Sequence, residues 1–427
     1  MSIEVLRPGA QTTVQDRGRT GLRHLGIGVA GALDAYSAAV ANLLVGNDES
    51  CAVLEITLSG PTLRFACAAR IALAGADIDA HCGDTTLPGW RPIKLPAGSE
   101  LRLGACRRGA RAYLAVAGGI GIAPVLGSRS TDLRAGFGGV AGRALCRGDI
   151  LPMAADPSAA CELRVATWWI DPKPDLDLSP GARVHLLPGR DATAPAESIT
   201  HQTWRVAEAS NRQGLRLQGN ALALSDPGER LSAPTLPGAV QLPPDGRPIV
   251  LLADAQTIGG YPCIGQVCRA DLPRLAQCRP GDSVHFQPID RAAALARHRA
   301  RQQRLARIEL AIAQREKERQ ARMRAASRRT IRTCRPPDPR CSATSSQACS
   351  PCCRSGSPGW CSVSCSGCCR TSASPGSGHC RSALPPRFRR RWDGSMIPGR
   401  RPASRWSPPW SPSSRSACWR TASSGNA

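Results

Sequence analysis

Residues 326–427 contain no lysine and no glutamate, and their only acids are Asp338 and Asp393. Arg, Ser, Pro, Cys and Trp fill the remainder. Such a segment cannot bury enough apolar surface to offset its ordering entropy, so we expect a disordered tail. Two functional readings of it compete. Cys352, Cys353, Cys361, Cys365, Cys368, Cys369, His379 and Cys380 include one CxxC with a nearby His. Structural zinc sites, however, have a hydrophobic-bearing spacer that folds on the metal, and here the spacers are Ser, Gly and Pro. An Arg-rich nucleic-acid arm with interleaved Trp360, Trp392, Trp406, Trp410 and Trp419 is the other reading. A third account is simpler: this composition is what GC-rich coding DNA gives in a wrong frame. We expect the frame to have changed near Arg324–Thr330. Resequencing the locus tests this, and an in-frame stop shared by related strains would sink it.

Other absences bound the rest. From residue 321 onward there are 19 Arg against two Asp, a balance of +17 out of +24 for the whole chain. The first 320 residues therefore carry only +7, ordinary for a soluble protein, and no nucleic-acid partner is expected. None of the nine cysteines before the tail forms a CxxC pair, which argues against a zinc ribbon or thioredoxin-like site. We read them as reduced, partly buried small hydrophobes in a cytoplasmic protein. No apolar run follows a basic start at Met1–Ala10, so no signal peptide is expected. No stretch approaches the ~18 apolar residues of a membrane span. Gly-Lys-Ser/Thr, GxSxG and HExxH are all missing, and Gly119-Ile120-Gly121 lacks the rest of a dinucleotide fingerprint.

What is there reads as mainly β with few helices, which argues for barrels or sandwiches. Short Val/Ile/Leu-rich runs predict strands at Ala52–Leu58, Arg70–Leu73, Leu101–Leu103, Ala112–Val116, Val184–Leu187, Ile249–Ala253 and Ser283–Phe286. Gly-Gly or Pro-Gly pairs punctuate them, among them Pro180-Gly181, Pro237-Gly238, Gly259-Gly260 and Pro280-Gly281. Leu33–Val45 predicts a helix closed at Gly46-Asn47. Asp171–Pro180 reads as a linker, giving domains 1–170 and 171–290. Residues 291–325 follow as a charged helix with an apolar stripe of Leu305, Ile308 and Ile312. Charged helical faces are usually wet, so we expect a solvated appendage, with a docking helix as the alternative.

Three clusters set polar side chains beside glycines that let a ligand approach the backbone. They are Thr13–Gly18 with His24–Asp34 and Asn42, Gly127–Gly139, and Asp254–Pro262. Such loops suit a small amide or carboxylate. The bland reading is that Asp and Arg merely pin loops, as Asp16 and Arg17 would. Asp77, Asp79 and His81 alternate and would share a strand face, but an exposed strand edge explains them as well as a metal does; no metal site is expected.

At these clusters the chain resembles a known family. The runs TVQDRGRTGLRHLGIGVAGALDAYSAAVANLLVGN, LGSRSTDLRAGFGG, SNRQGLRL, LLADAQTIGGYPCIG and ADLPRLAQCRPGDSVHF are similar to the biotin-dependent carboxyltransferase family, also called allophanate hydrolase subunit 2 or antagonist of the kinase A inhibitor. The resemblance covers roughly residues 3–290. It implies two cyclophilin-like β-barrel subdomains and companion 5-oxoprolinase subunits B and A, the complex opening 5-oxoproline to glutamate with ATP hydrolysis. It equally allows a carboxyltransferase component of a urea-type, biotin-dependent carboxylase, or a regulatory module for a kinase inhibitor. None of Met1, Met153, Met323 and Met396 adjoins a lysine, so this chain carries no biotinyl site of its own. We expect no cofactor bound by this chain alone; ATP is used by the complex, and biotin enters only with the carboxylase alternative. Asp34 and Asp132 are expected as polar anchors or proton acceptors, Arg129 as the binder of a carboxylate or phosphate oxygen, and Gln256 and Tyr261 as groups orienting the substrate amide, with Asn42 beside them. Cys263 stands where family members usually carry Lys or Arg; Arg269 would compensate if it reached the same face.

Overall fold

The structure is a computed structural model that describes residues 1–154, 162–191, 199–223 and 231–333. Its first part is a ten-stranded sheet. Two long strands, Ala69–Cys82 and Glu100–Val116, pair antiparallel at its centre. Outward on one side lie Pro92–Leu95 and Arg164–Val165, and on the other Thr62–Phe65, Ser2–Arg7 and Ile150–Pro152. Val53–Thr57 also pairs with Glu100–Val116 and carries Gln11–Gln15 on its far edge.

Both faces of this sheet are covered, which is why its strands read as continuous apolar runs rather than alternating ones. Leu54, Ile56, Ile71, Leu73, Leu114 and Val116 face one core. The intervening Val53, Ala72, Ala74, Tyr113 and Ala115 face the other. The alanines on that second face leave room for helix α1, Ala35–Leu44, which is buried along nearly its whole length. Asp34 caps α1 by accepting from the Ser37 N–H at 2.9 Å. Gly46, at φ 77°, turns the chain away at the other end, as expected from sequence.

The second part is a closed barrel of seven strands: Ala182–Pro188, Cys263–Val267, Ala239–Gln241, Ile249–Leu251, Gly214–Gln218, Trp204–Val206 and Ser283–Pro288, the last pairing parallel with the first. Its core centres on Trp204, whose indole N–H donates to the Ile199 carbonyl at 3.0 Å. Leu33, from the loop before α1, belongs to this core. A short helix α2, Leu272–Ala276, precedes the final strand. The architecture is therefore mainly β with few helices, as expected.

Helix α3, Arg291–Thr333, runs about 65 Å at 1.5 Å per residue, past the expected end near residue 325. The expectation of a solvated appendage is corrected. Ile308 and Ile312 are buried, Leu305 packs with them, and together they join the core formed by Tyr36, Val40 and Leu176. Arg301 and Arg315 lie over the rings of Tyr36 and Trp168, and Arg304 pairs with Asp175 at 3.1 Å. Asp175 and Leu176 are consequently buried, so the Asp171–Pro180 stretch is held down under α3 and is no free linker. The cysteine, arginine and tryptophan features of the tail from Cys334 onward lie outside the described residues.

Candidate functional site

The three polar clusters meet where the sheet and the barrel join. Asp16, at the end of the strand Gln11–Gln15, receives hydrogen bonds from Ser128 Oγ (2.5 Å), Ser130 Oγ (2.6 Å), the Arg129 N–H (2.5 Å) and the Gly18 N–H (2.8 Å). Burial alone would raise its pKa, but these four donors more than offset that and hold it below the usual value. Asp16 thus pins the second cluster to the first. Arg17 takes no part, pairing instead with Glu49.

Arg19 is 1% exposed and threads the second cluster. Its Nη2 donates to the Ser130 carbonyl at 2.6 Å, its Nε to the Val125 carbonyl at 3.2 Å, and its guanidinium lies 4.5 Å from the centre of the Phe137 ring. Gly138 must be bare, since a Cβ there would come 2.2 Å from Arg19 Nη2. Arg23 reaches across to the barrel side, donating to the carbonyls of Thr235 and Gln256.

Beneath these loops lies a buried charge cluster that sequence reasoning missed. Arg212 forms a bidentate pair with Asp254 (2.8 and 2.9 Å), bonds Glu55 of the sheet, and donates to the Gly31 carbonyl at 2.6 Å. Glu55 also receives the Tyr113 hydroxyl at 2.9 Å and the Leu33 N–H at 2.9 Å. Burial disfavours the Arg212 charge, and Glu55 and Asp254 more than offset it, leaving its pKa above the usual value. A second bridge comes from Gln277, whose side chain joins Asp34 Oδ2 (2.8 Å), the Arg111 carbonyl (2.9 Å) and the N–H groups of Ala110 and Arg111. These partners lie 22 to 243 residues apart in sequence, and no local pattern announces them.

Of the expected site residues, Asp132 lies across Gly28 from Ala255, the chain neighbour of Gln256. Asp132 Oδ1 caps a turn by accepting from the N–H groups of Arg134 and Ala135. Its Oδ2 faces Gly28: a side chain there would begin 3.8 Å from that oxygen and 3.7 Å from the Ala255 carbonyl oxygen. The bare glycine leaves a methyl-sized slot flanked by two hydrogen-bond acceptors. Gln256 follows directly, its side chain donating to Gln241 Oε1 at 3.3 Å. Tyr261, 46% exposed, lines an adjoining cavity of about 90 Å³ with Gln241, Cys263 and Arg190.

The other expected residues stand elsewhere. Asp34 is 0% exposed, with Ser37 and Gln277 occupying its oxygens, and burial raises its pKa. Asn42 is 1% exposed and bonds the Cys51 carbonyl and Asn47. Arg129 directs its Nε to the Ile122 carbonyl at 2.7 Å. Asp77 and Asp79 pair with Arg108 and Arg107 on an exposed hairpin. The cation beside the cavity is Arg190, whereas Arg269 sits on the turn Arg269–Asp271 against α3, near His298.

A sheet module and a barrel module, locked by buried charges, bring three polar loop clusters together at their junction. A family model described as the carboxyltransferase domain, subdomains A and B, matches residues 25–288, and the chain belongs to that family. It is 42% identical to the C-type subunit of 5-oxoprolinase from Escherichia coli (strain K12) over 292 residues, covering 66% of this chain and 90% of that protein. It is 35% identical to urea amidolyase of Lachancea kluyveri over 309 residues, but this covers only 17% of that protein. The crystal structure of the K. lactis urea amidolyase matches with a TM-score of 0.66 and 31% identity, over 72% of this chain and 20% of that one. The chain thus spans about a fifth of the urea amidolyase. Among the described residues, no helix is long and apolar enough to cross a membrane.

Proposed function

We propose that this chain is the C-type subunit of an ATP-dependent 5-oxoprolinase, opening 5-oxoproline to L-glutamate in the cytoplasm together with companion subunits B and A. One observation carries the reading: the similarity to the Escherichia coli 5-oxoprolinase component extends over 90% of that protein. The slot over Gly28 supports it chemically. Asp132 Oδ2 and the Ala255 carbonyl are both acceptors, suited to the N–H of a cyclic amide, with Gln256 next in the chain and bonded to Gln241 of the cavity that Tyr261 lines. Asp34 and Asn42 we assign to the scaffold, because they are buried with their side chains engaged within it; Arg129 is tethered there through Nε. The sequence lacks Gly-Lys-Ser/Thr, and we assign the handling of ATP to a companion.

The test is reconstitution. With both companion subunits, the complex should form glutamate only when both ATP and 5-oxoproline are supplied, and lose that activity when this chain is omitted. Asp132→Ala or Tyr261→Ala should lower turnover without unfolding the chain; wild-type rates in both would refute the site. Unchanged turnover on omission would remove the enzyme reading. A carboxyltransferase component is the second reading, favoured by the likeness to urea amidolyase. It would show labelled-bicarbonate incorporation that avidin blocks. A regulatory module would bind a partner stoichiometrically without turnover.

A further inference from the structure

The cavity beside Tyr261 has a chemistry of its own. At about 90 Å³ it falls well short of the several hundred Å³ of a site for a larger ligand. Its polar wall is formed by Arg190, Thr235, Gln241, Tyr261 and Gln266, with Cys263 between them. No Asp or Glu is among its described lining residues. Thr235 and Gln266 spend their donors on backbone carbonyls, of Gln256 (2.6 Å) and of Pro237 (2.9 Å). Three groups keep donors to spare. Arg190 uses only Nη2, toward Asp191 at 3.3 Å. Gln241 accepts from Gln256 through Oε1, while its Nε2 donates to no described residue. It reaches the cavity only because Gly259 is bare, where a Cβ would come 2.5 Å from that Nε2. The Tyr261 hydroxyl, on a half-exposed ring, has no partner among the described residues.

A small cavity with two neutral donors and one guanidinium, whose carboxylate partner Asp191 stands outside the lining and engages only Nη2, matches a carboxylate ligand in charge and in hydrogen-bond sense. The Gln241–Gln256 bond ties it to the acceptor slot over Gly28, since Gln256 follows Ala255 in the chain. We propose that this cavity is a carboxylate subsite, with Arg190 supplying the charge and Gln241 Nε2 and the Tyr261 hydroxyl the remaining bonds. It selects lactams bearing a carboxylate over neutral ones. The proposal rests on the 5-oxoproline reading for its substrate, but the binding chemistry stands apart from it.

The experiment compares 5-oxoproline with 2-pyrrolidinone, the same ring without the carboxylate, in the reconstituted complex. Arg190→Ala should raise KM for 5-oxoproline about tenfold to hundredfold with kcat within about twofold, the factor expected for loss of a charged hydrogen bond. The preference for 5-oxoproline over 2-pyrrolidinone should narrow by the same factor. Cys263→Lys, placing a cation on the same lining beside position 190, should restore part of the loss in the Arg190→Ala background, which a merely structural arginine would not allow. An unchanged KM in Arg190→Ala, or equal losses for both lactams, overturns the subsite while leaving the enzyme reading intact. If no lactam is opened at all, calorimetry of the full chain with 5-oxoproline and with acetate decides the subsite alone. Binding that Arg190→Ala abolishes supports it; binding absent from the wild type, or equal in both, overturns it.

Discussion

Removing the Arg212 side chain should be among the most damaging single changes in this protein. Arg212→Ala leaves Asp254 and Glu55 buried with their shared cation gone. Glu55 keeps the Tyr113 hydroxyl and the Leu33 N–H, but Asp254 loses both oxygens of its bidentate pair. Breaking a buried pair from one side typically costs about 3–5 kcal/mol, mostly as the desolvation of the charge left behind. For a fold of this size that lowers the melting temperature by roughly 4–7 °C. Burial already raises the Asp254 pKa, and without Arg212 it should rise further. A carboxyl whose folded pKa exceeds its unfolded value contributes fully below the unfolded pKa and loses that contribution as pH rises. The deficit of Arg212→Ala should therefore be larger at pH 8 than at pH 5. Urea denaturation of the full chain, followed through the fluorescence of buried Trp204, measures both. Combining Arg212→Met with Glu55→Gln and Asp254→Asn should recover most of the loss, because no charge is then stranded. A deficit below about 1 kcal/mol in Arg212→Ala, or one that grows on acidification, would refute the reasoning.

Other outcomes follow from the same structure. Asp16 has a depressed pKa, so its stabilisation is present above its unfolded value near 3.8 and is lost as pH falls through the lower folded value. Asp16→Asn should loosen residues 125–139 at pH 7, and hydrogen exchange there should no longer respond to acid. Ile308→Ala should cost about 2–4 kcal/mol of helix docking, read as faster tryptic cleavage of the Arg-rich α3. A chain ended after Ala325 should keep its fold and activity, since Ile312 is the last residue to enter a described core; loss of either on truncation would return the tail to consideration.

Local physics was readable from the sequence. Proline-glycine pairs at 180–181, 237–238 and 280–281 do place Gly181, Gly238 and Gly281 at φ of 89°, 89° and 88°. The helix over Leu33–Val45 was legible from its end signals even though nearly all of it is buried. Strand length was less legible. Leu101–Leu103 and Ala112–Val116 are two ends of one 17-residue strand, because the intervening Arg107 and Arg108 extend into solvent as a hairpin arm and interrupt the apolar pattern. The polar clusters could be found because glycines beside Asp, Arg and Gln stand out locally. Which members touch a ligand could not, since that depends on partners such as Gln277 for Asp34, 243 residues away. Gly259 shows the same limit: it needs no unusual φ, and is bare so that Gln241 can pass.

The Arg212 bridge also sets a timetable for synthesis. Glu55 leaves the ribosome 157 residues before the cation that neutralises it. At about 5–20 residues per second, the nascent sheet waits roughly 8–30 s for its partner. During that interval Glu55 lacks its cation and stays hydrated, so the sheet cannot close its final packing ahead of the barrel. The two modules are separate in architecture yet complete one another in time, the second supplying the charge that lets the first become dry.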